Sequence, residues 1–381
     1  MRRYGLDVTL MLGRRTGIGR TVEELTARVP PLLAADETLV LLARTFRLNP
    51  LFGVSHAPLL ALAGPRVEVV RVPLPSRVIA TTPVERFAGP LDVLHGPNSA
   101  LPATSGARAV LTIHDVGPLR RPQDVPRSFA AGFRRGLADA LRRADRVLTV
   151  SDFTADEVAS LLGVPRGRME TVRPGVSAAF AARGDRDSDR RLLAQRHGVE
   201  GPFVLFVGTT NPRKNLPRLL DAFASARRRA SLPQELVLAG DRGFDDARDD
   251  VADRSLGGVV RVAGYVDEAE LTAFYRCADA LALPSLYEGF GLPVIEAMAA
   301  GCPVLTSASS GLSEVAGDAA VLVDPESTDS IATGLAGLLT DAALRSRLAD
   351  AGRRRAAAFS WDAFAARHLA IWRELAAGPR R

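Results

Sequence analysis

The chain has 381 residues, 47% hydrophobic and 24% charged, which is the composition of a globular protein too long for one core, so two domains are expected. Its two cysteines, Cys277 and Cys302, show no CxxC spacing, which argues against a disulfide framework or a zinc site, and no apolar run is long enough to span a bilayer. The net charge of +6 is uneven, with 24 basic against 16 acidic residues over 1–180 (+8) and 25 against 27 over the remainder (−2); a basic first half could meet an anionic substrate, a membrane or nucleic acid, but 6% aromatic residues and no recognisable nucleic-acid-binding motif rank the last low.

In chain order, the opening MRRYGLDVTLML is basic and then apolar, but Asp7 interrupts the run and GRRTGIGR ends it, so no signal peptide is expected and the cytoplasm is the predicted location. Gly17 and Gly19 fall in a predicted loop, TGIGR. Short β-branched or leucine-rich runs follow: TLVLLAR (38–44), VEVVRV (67–72), AVLTIHD (109–115), RVLTVS (146–151), FVLFVG (203–208), ELVLAG (235–240), VVRVAG (259–264), ALALPS (280–285) and CPVLTS (302–307). Helix-length stretches separate them, a pattern of βαβ units. The predicted fold is therefore α/β, two Rossmann-like doubly wound parallel-sheet domains facing a central cleft. The polar, aperiodic AARGDRDSDR marks the boundary, giving domains at 1–182 and 183–358. The closing FSWDAFAARHLAIWRELAAG, within 359–381, is predicted to be an amphipathic helix that packs back towards the first domain.

Ligands of such sheets bind beyond the carboxyl ends of the strands, and two loops there carry chemistry. The first, GTTNPRKN (208–215), holds Arg213 and Lys214, the only lysine in the chain. A lysine ammonium is a compact charge on a flexible stem, suited to a tight phosphate site that a planar guanidinium cannot enter. The second, LPSLYEGFGLPVIEAMAAG (283–301), places Gly289 and Gly291 before a helix whose first residue is predicted to be Pro293. Its loop amides and helix N-terminus form a positive concavity suited to a diphosphate. Glu288 and Glu296 flank it, and carboxylates beside a phosphate site are good acceptors for sugar hydroxyls.

EGFGLPVIE resembles the E-x7-E signature of the retaining nucleotide-sugar glycosyltransferases of family 4, which have the GT-B fold. GTTNPRKNLPRLLDAF resembles the family's phosphate-binding strand-loop-helix in the GTxxPRKNL form of mannosyltransferases. GIGR, TIHDVGPLRRP, RVLTVSDFTADEVASLLGV, AGYVDEAELTAFYRCADALALPSLYEGFGLP and FSWDAFAARHL extend the likeness over most of the chain. The arginine of the family's "GR" form is replaced by Thr209. The resemblance implies that Arg213 and Lys214 bind the donor diphosphate and that Glu296 accepts ribose hydroxyls. Glu288 would contact the transferred sugar, with Phe290, Gly291 and Leu292 presenting amides to it. His114 would stand near the donor sugar, Gly17 and Gly19 would let backbone approach phosphates or acceptor, and Tyr265 and Val266 would lie by the nucleobase.

The expected reaction moves a hexose from a nucleoside-diphosphate sugar, GDP-mannose in preference to UDP-glucose, to an unidentified hydroxyl acceptor with retention of configuration. No cofactor is expected. Nor is a metal, since the Asp245–Asp246 and Asp249–Asp250 pairs read as a solvated turn and helix start. The stretch 134–146, with Arg134, Arg135, Arg142 and Arg143, could rest on an anionic membrane. The competing functions are an epimerase or phosphorylase of the same fold, or a non-enzymatic basic protein that binds membrane or nucleic acid. Residues 44–58 and 116–130 carry no motif that identifies the acceptor.

Overall fold

The computed structural model describes residues 1–12, 17–44, 57–73, 78, 80–240, 250–252, 254 and 256–378. They form two compact units, Met1–Gly175 with Ser360–Arg381, and Val176–Phe359.

The first unit holds a sheet of β1 (Arg2–Asp7), β2 (Glu37–Arg44), β3 (Val67–Val72), β4 (Val93–Gly96), β5 (Arg108–Ile113), β6 (Arg146–Thr149) and β7 (Met169–Thr171). Their order is β3-β2-β1-β4-β5-β6-β7 and every pairing is parallel. The sheet of the second unit comprises β8 (Phe203–Val207), β9 (Glu235–Ala239), β10 (Val260–Gly264), β11 (Ala280–Leu283), β12 (Val304–Ser307) and β13 (Val321–Val323), ordered β10-β9-β8-β11-β12-β13 and again parallel. Helices of seven or more residues are numbered α1 (Gly17–Arg28), α2 (Arg127–Arg143), α3 (Asp152–Leu162), α4 (Arg186–His197), α5 (Leu216–Ala230), α6 (Glu268–Cys277), α7 (Leu292–Ala300), α8 (Ser310–Ala316), α9 (Thr328–Thr340), α10 (Ala342–Ala356) and α11 (Trp361–Ala376).

Each predicted run forms a strand, and β1, β4, β7 and β13 are additional. Central β1 escapes a hydrophobic pattern because its sequence is RRYGLD. It forms because Tyr4 and Leu6 are buried and because Gly5 is bare, a Cβ there standing 2.8 Å from Leu91 Cδ1.

Helix α11 completes the first unit. Trp361, Phe364, His368, Ile371 and Trp372 are buried, with Trp372 5.9 Å from Tyr4 between ring centroids and His368 stacked at 5.5 Å on His95 of β4. Arg373 donates to buried Glu37 at 2.6 and 2.8 Å, and Tyr4 donates to it at 2.8 Å. The Arg373 bonds come first in holding the Glu37 carboxyl down at about 2, against the upward push of burial.

The units divide after Gly175 and before Ser360, whereas the sequence placed these divisions at 182/183 and 358/359. Phe180 explains the first difference: it is buried edge-on against Tyr275 of the second unit, 5.6 Å away. The aperiodic AARGDRDSDR is also not all linker. Helix α4 begins inside it at Arg186, capped by Asp185, which accepts from the Asp187 amide at 3.0 Å. Only Leu193 of this helix is buried, so it leaves little apolar periodicity.

Candidate active site

In the second sheet the strand order reverses between β8 and β11, the switch point at which open α/β sheets bind ligands. The loops that carry the predicted cations and carboxylates leave those two strands. After β8, Asn211 accepts from the Arg213 amide at 3.1 Å and caps a 3₁₀ turn, Pro212–Lys214. Asn215, left-handed at φ 62°, then passes the chain into α5. Its buried amide donates to Pro284 O at 2.9 Å and Pro325 O at 2.7 Å and accepts from Arg218 at 2.6 Å. The Leu286 amide donates to Arg213 O at 2.8 Å. The two loops are thus sewn together before any charged side chain is considered.

The charges converge on Glu288. Arg213 Nη1 lies 2.6 Å from one carboxylate oxygen and Lys214 Nζ 2.5 Å from the other, and Arg213 also donates to Tyr287 O at 3.1 Å. Lys214 is 8% exposed and Glu288 7%. Burial pushes the Glu288 carboxyl up, but the charges of Arg213 and Lys214 and their hydrogen bonds outweigh it and hold it at about 2. Lys214 is packed against a glycine. Its stem lies against Gly208, where even a Cβ would stand 3.1 Å from Lys214 Cε, and Gly208 at φ 155° takes a conformation that side-chain-bearing residues rarely adopt.

Beyond Glu288 the chain enters α7 through Gly291 at φ 107°, where a Cβ would meet Leu312 Cδ2 at 2.4 Å. The first helical residue is Leu292 and Pro293 is the second, one later than predicted, because Gly291 supplies the non-helical cap. The first amides of the helix have no intrahelical acceptor and carry its positive end, so they add to the field of Arg213 and Lys214. Gly289 is buried, and Gly311 packs on its carbonyl so closely that a Cβ at 311 would stand 2.2 Å from Gly289 O. The Phe290 ring is buried edge-on against Phe359 at 5.6 Å, which leaves only its backbone for a ligand. Glu296, 5% exposed, accepts from the hydroxyl of fully buried Tyr275 at 3.0 Å. Two cations, a helix N-terminus and flanking carboxylates can hold a polyanion that carries hydroxyl groups.

Thr209 is exposed next to this cluster in sequence. At the ends of β8, β9 and β10 stand Gly208, Gly240 and Gly264, all at positive φ. The Gly240 amide donates to Gly264 O at 2.8 Å, and a Cβ at 240 would stand 2.0 Å from Gly208 O, so the three strand ends form a ledge of bare peptide. Tyr265, 56% exposed, and half-buried Val266 follow Gly264.

The remaining predicted residues belong to the first unit. Gly17 and Gly19 form the first turn of α1, not a loop, because buried Val22 and Leu25 give the following residues a helical core face. His114 follows β5 and is half-buried. Its Nε2 lies 2.8 Å from Pro97 O, and a carbonyl only accepts, so Nε2 carries the proton. Burial lowers its pKa, against the opposite pull of Pro97 O and Asp115; the neutral ring then has Nδ1 as an acceptor. Asp245, Asp246 and Asp249 lie outside the described residues; Asp250 pairs with Arg254 at 3.2 Å. Among the described residues no group of three or more His, Cys, Asp or Glu is placed to hold a metal ion.

Sequence reasoning assigned no part to Asn215 or Tyr275. Asn215 could have been found from the motif, since an asparagine at a helix entry is suited to the left-handed conformation. Tyr275 left no signal, because a tyrosine on the buried face of an amphipathic helix looks like core.

Two doubly wound parallel sheets in one chain, with paired cations and a carboxylate at the switch point of the second, define the class as GT-B. Anabaena Alr3699/HepE, solved with UDP and glucose, superposes with a TM-score of 0.73 over 98% of this chain and 100% of that one, at 17% identity. A profile described as glycosyl transferases group 1 matches residues 189–355, and one described as glycosyltransferase family 4 matches residues 17–180. O-antigen chain mannosyltransferase B of Escherichia coli is 34% identical over 272 residues, 71% of each chain. D-inositol 3-phosphate glycosyltransferase 1 of Catenulispora acidiphila is 32% identical over 354 residues, 86% of this chain and 82% of that one. The chain belongs to glycosyltransferase family 4.

Proposed function

We propose that this glycosyltransferase moves a hexose from a nucleoside-diphosphate sugar, GDP-mannose in preference to UDP-glucose, to a hydroxyl acceptor with retention of configuration. The observation that carries this reading is the convergence of Arg213, Lys214 and Glu288 beside the N-terminus of α7 at the β8/β11 switch point. Similarity to a mannosyltransferase supports the sugar, and the UDP and glucose held by HepE support the donor class.

The second unit takes the donor and the first the acceptor. Glycosyl transfer leaves negative charge on the departing diphosphate, and Arg213, Lys214 and the amides of Gly289, Phe290, Gly291 and Leu292 are aimed to stabilise it. Glu288 pairs with both cations and meets the hydroxyls of the transferred sugar. Glu296 accepts from the ribose, while Thr209, Tyr265 and Val266 line the nucleoside. His114 offers Nδ1 as an acceptor for a hydroxyl of the sugar, and the bare backbone of Gly17 and Gly19 in the first turn of α1 serves phosphate or acceptor. The acceptor attacks from the leaving-group side, and a phosphate oxygen takes its proton.

Lys214→Ala, compared with wild type at equal thermal stability, is expected to weaken GDP and UDP binding about tenfold and to slow turnover by about 100-fold. Unchanged affinity and turnover would sink the proposal.

Contact with an anionic membrane is assigned to α2. Phe129 on this helix is 55% exposed and stacks at 6.4 Å on Phe133, and the same helix carries exposed Arg134, Arg135 and Arg142. Arg143 drops out of the predicted basic group because it donates to Leu101 O, Pro102 O and Asp139. Among the described residues no helix is long and apolar enough to cross a membrane. Replacing Arg134, Arg135 and Arg142 with alanine is expected to abolish sedimentation with phosphatidylglycerol vesicles, and unaltered sedimentation would remove the assignment.

A further inference from the structure

The contact between α6 and α7 extends the site beyond the residues that touch the donor. Glu296 is the fifth residue of α7 and 5% exposed, so its carboxylate enters a largely dry environment where an acceptor-only group needs donors. Tyr275 supplies one at 3.0 Å. A phenol has a single proton to give, so the bond ties one carboxylate oxygen to one place and stops rotation about the terminal torsion, which is broad when unrestrained. The phenol is itself fixed, since its ring is fully buried and meets Phe180 edge-on at 5.6 Å. Phe180, Tyr275 and Glu296 thus form a rigid series from the start of the second unit to its ligand site.

We propose that Tyr275 is a positioning residue, whose hydroxyl sets the direction in which Glu296 presents its carboxylate to the ribose hydroxyls of the donor. The inference rests on the reading of Glu296 given above. It assigns nucleoside-sugar recognition to a pair of side chains, one of which never touches the nucleotide. The expected cost of losing the tyrosine follows from geometry: a carboxylate that has lost the Tyr275 bond meets the ribose with poorer angles, and hydrogen bonds weaken steeply with misalignment.

The test compares GDP and UDP with their 2′,3′-dideoxy forms by calorimetry, in wild type, Tyr275→Phe and Phe180→Leu. Wild type is expected to prefer the ribonucleotide by about tenfold to a hundredfold, as for hydrogen bonds to a charged acceptor. Tyr275→Phe should cut that preference at least threefold while leaving dideoxynucleotide affinity as it was. Phe180→Leu, which loosens the ring but keeps the hydroxyl, should keep a larger preference than Tyr275→Phe. If wild type shows no preference, the reading of Glu296 falls. If wild type discriminates and Tyr275→Phe discriminates equally, the positioning role alone is overturned. A Phe variant that loses both ligand classes in equal measure overturns it too, because only packing was then at stake.

Discussion

Replacing Glu288 with glutamine keeps the size of the side chain and removes the charge that Arg213 and Lys214 share. In wild type the carboxyl is held at about 2 against an ordinary 4.5, which amounts to about 3 kcal/mol favouring its ionised form. Glutamine forfeits that term and leaves Lys214, 8% exposed, without its carboxylate. The folded state is therefore expected to lose about 3 kcal/mol near neutral pH, read by urea unfolding. The folded value is depressed, so the wild-type contribution is complete above the unfolded value and declines as pH falls towards 2; the variant should lack this acid dependence. Binding should move the other way. With the resident anion gone, the two cations are available to the diphosphate, and GDP or UDP should bind about tenfold tighter by calorimetry. Transfer from the nucleotide sugar should nonetheless drop, because the hydroxyl acceptor for the sugar is lost. A Glu288→Gln protein that binds nucleoside diphosphates no tighter than wild type would refute the view that this carboxylate occupies cations meant for phosphate.

Gly311→Ala would place a Cβ 2.2 Å from Gly289 O and 3.0 Å from Glu288 O, both backbone atoms, so the loop itself must shift. Turnover should fall about 100-fold with a stability cost of about 1–3 kcal/mol, and activity near wild type in a kinetic assay would show that loop position is not critical. His368 is kept neutral by burial above all, with Phe364 O opposing and His114 and Arg367 adding to the effect, and its pKa falls to about 4. The unfolded chain takes up the proton first, so stability should decline by up to about 3 kcal/mol as pH falls from 6.5 towards 4. His368→Phe should flatten that decline in urea titrations at pH 7.5 and 5, whereas equal slopes for both proteins would refute it.

The parts of the molecule legible in the sequence are those where local composition and global role coincide. FVLFVG and ALALPS are buried on both sides of a parallel sheet, so they read as strands, and the lone lysine and clustered glycines after them mark the loops. Strands β7 and β13 are only three residues long and β4 reads VLHG, whose histidine and glycine cut the apolar run to two residues, so no pattern stands out. Gly17 and Gly19 misled because glycine suggests a turn, yet tertiary packing of Val22 and Leu25 overrides that preference. The role of Glu288 was only half visible. Its place in the glycine-rich loop put it at the edge of a phosphate concavity, but that it joins both cations depends on how two loops, more than seventy residues apart in sequence, are stitched by Asn215 and Leu286.

Helix α11 has a consequence for the order in which the molecule is made. The second unit is one unbroken stretch of chain, Val176–Phe359, while the first needs Ser360–Arg381 as well. During synthesis the first seven strands leave the ribosome well before His368 and Trp372, which pack against Tyr4 and His95. The half of the protein translated first is thus the half that matures last, and a nonsense codon after Phe359 would damage the amino-terminal half while sparing the unit encoded just before it.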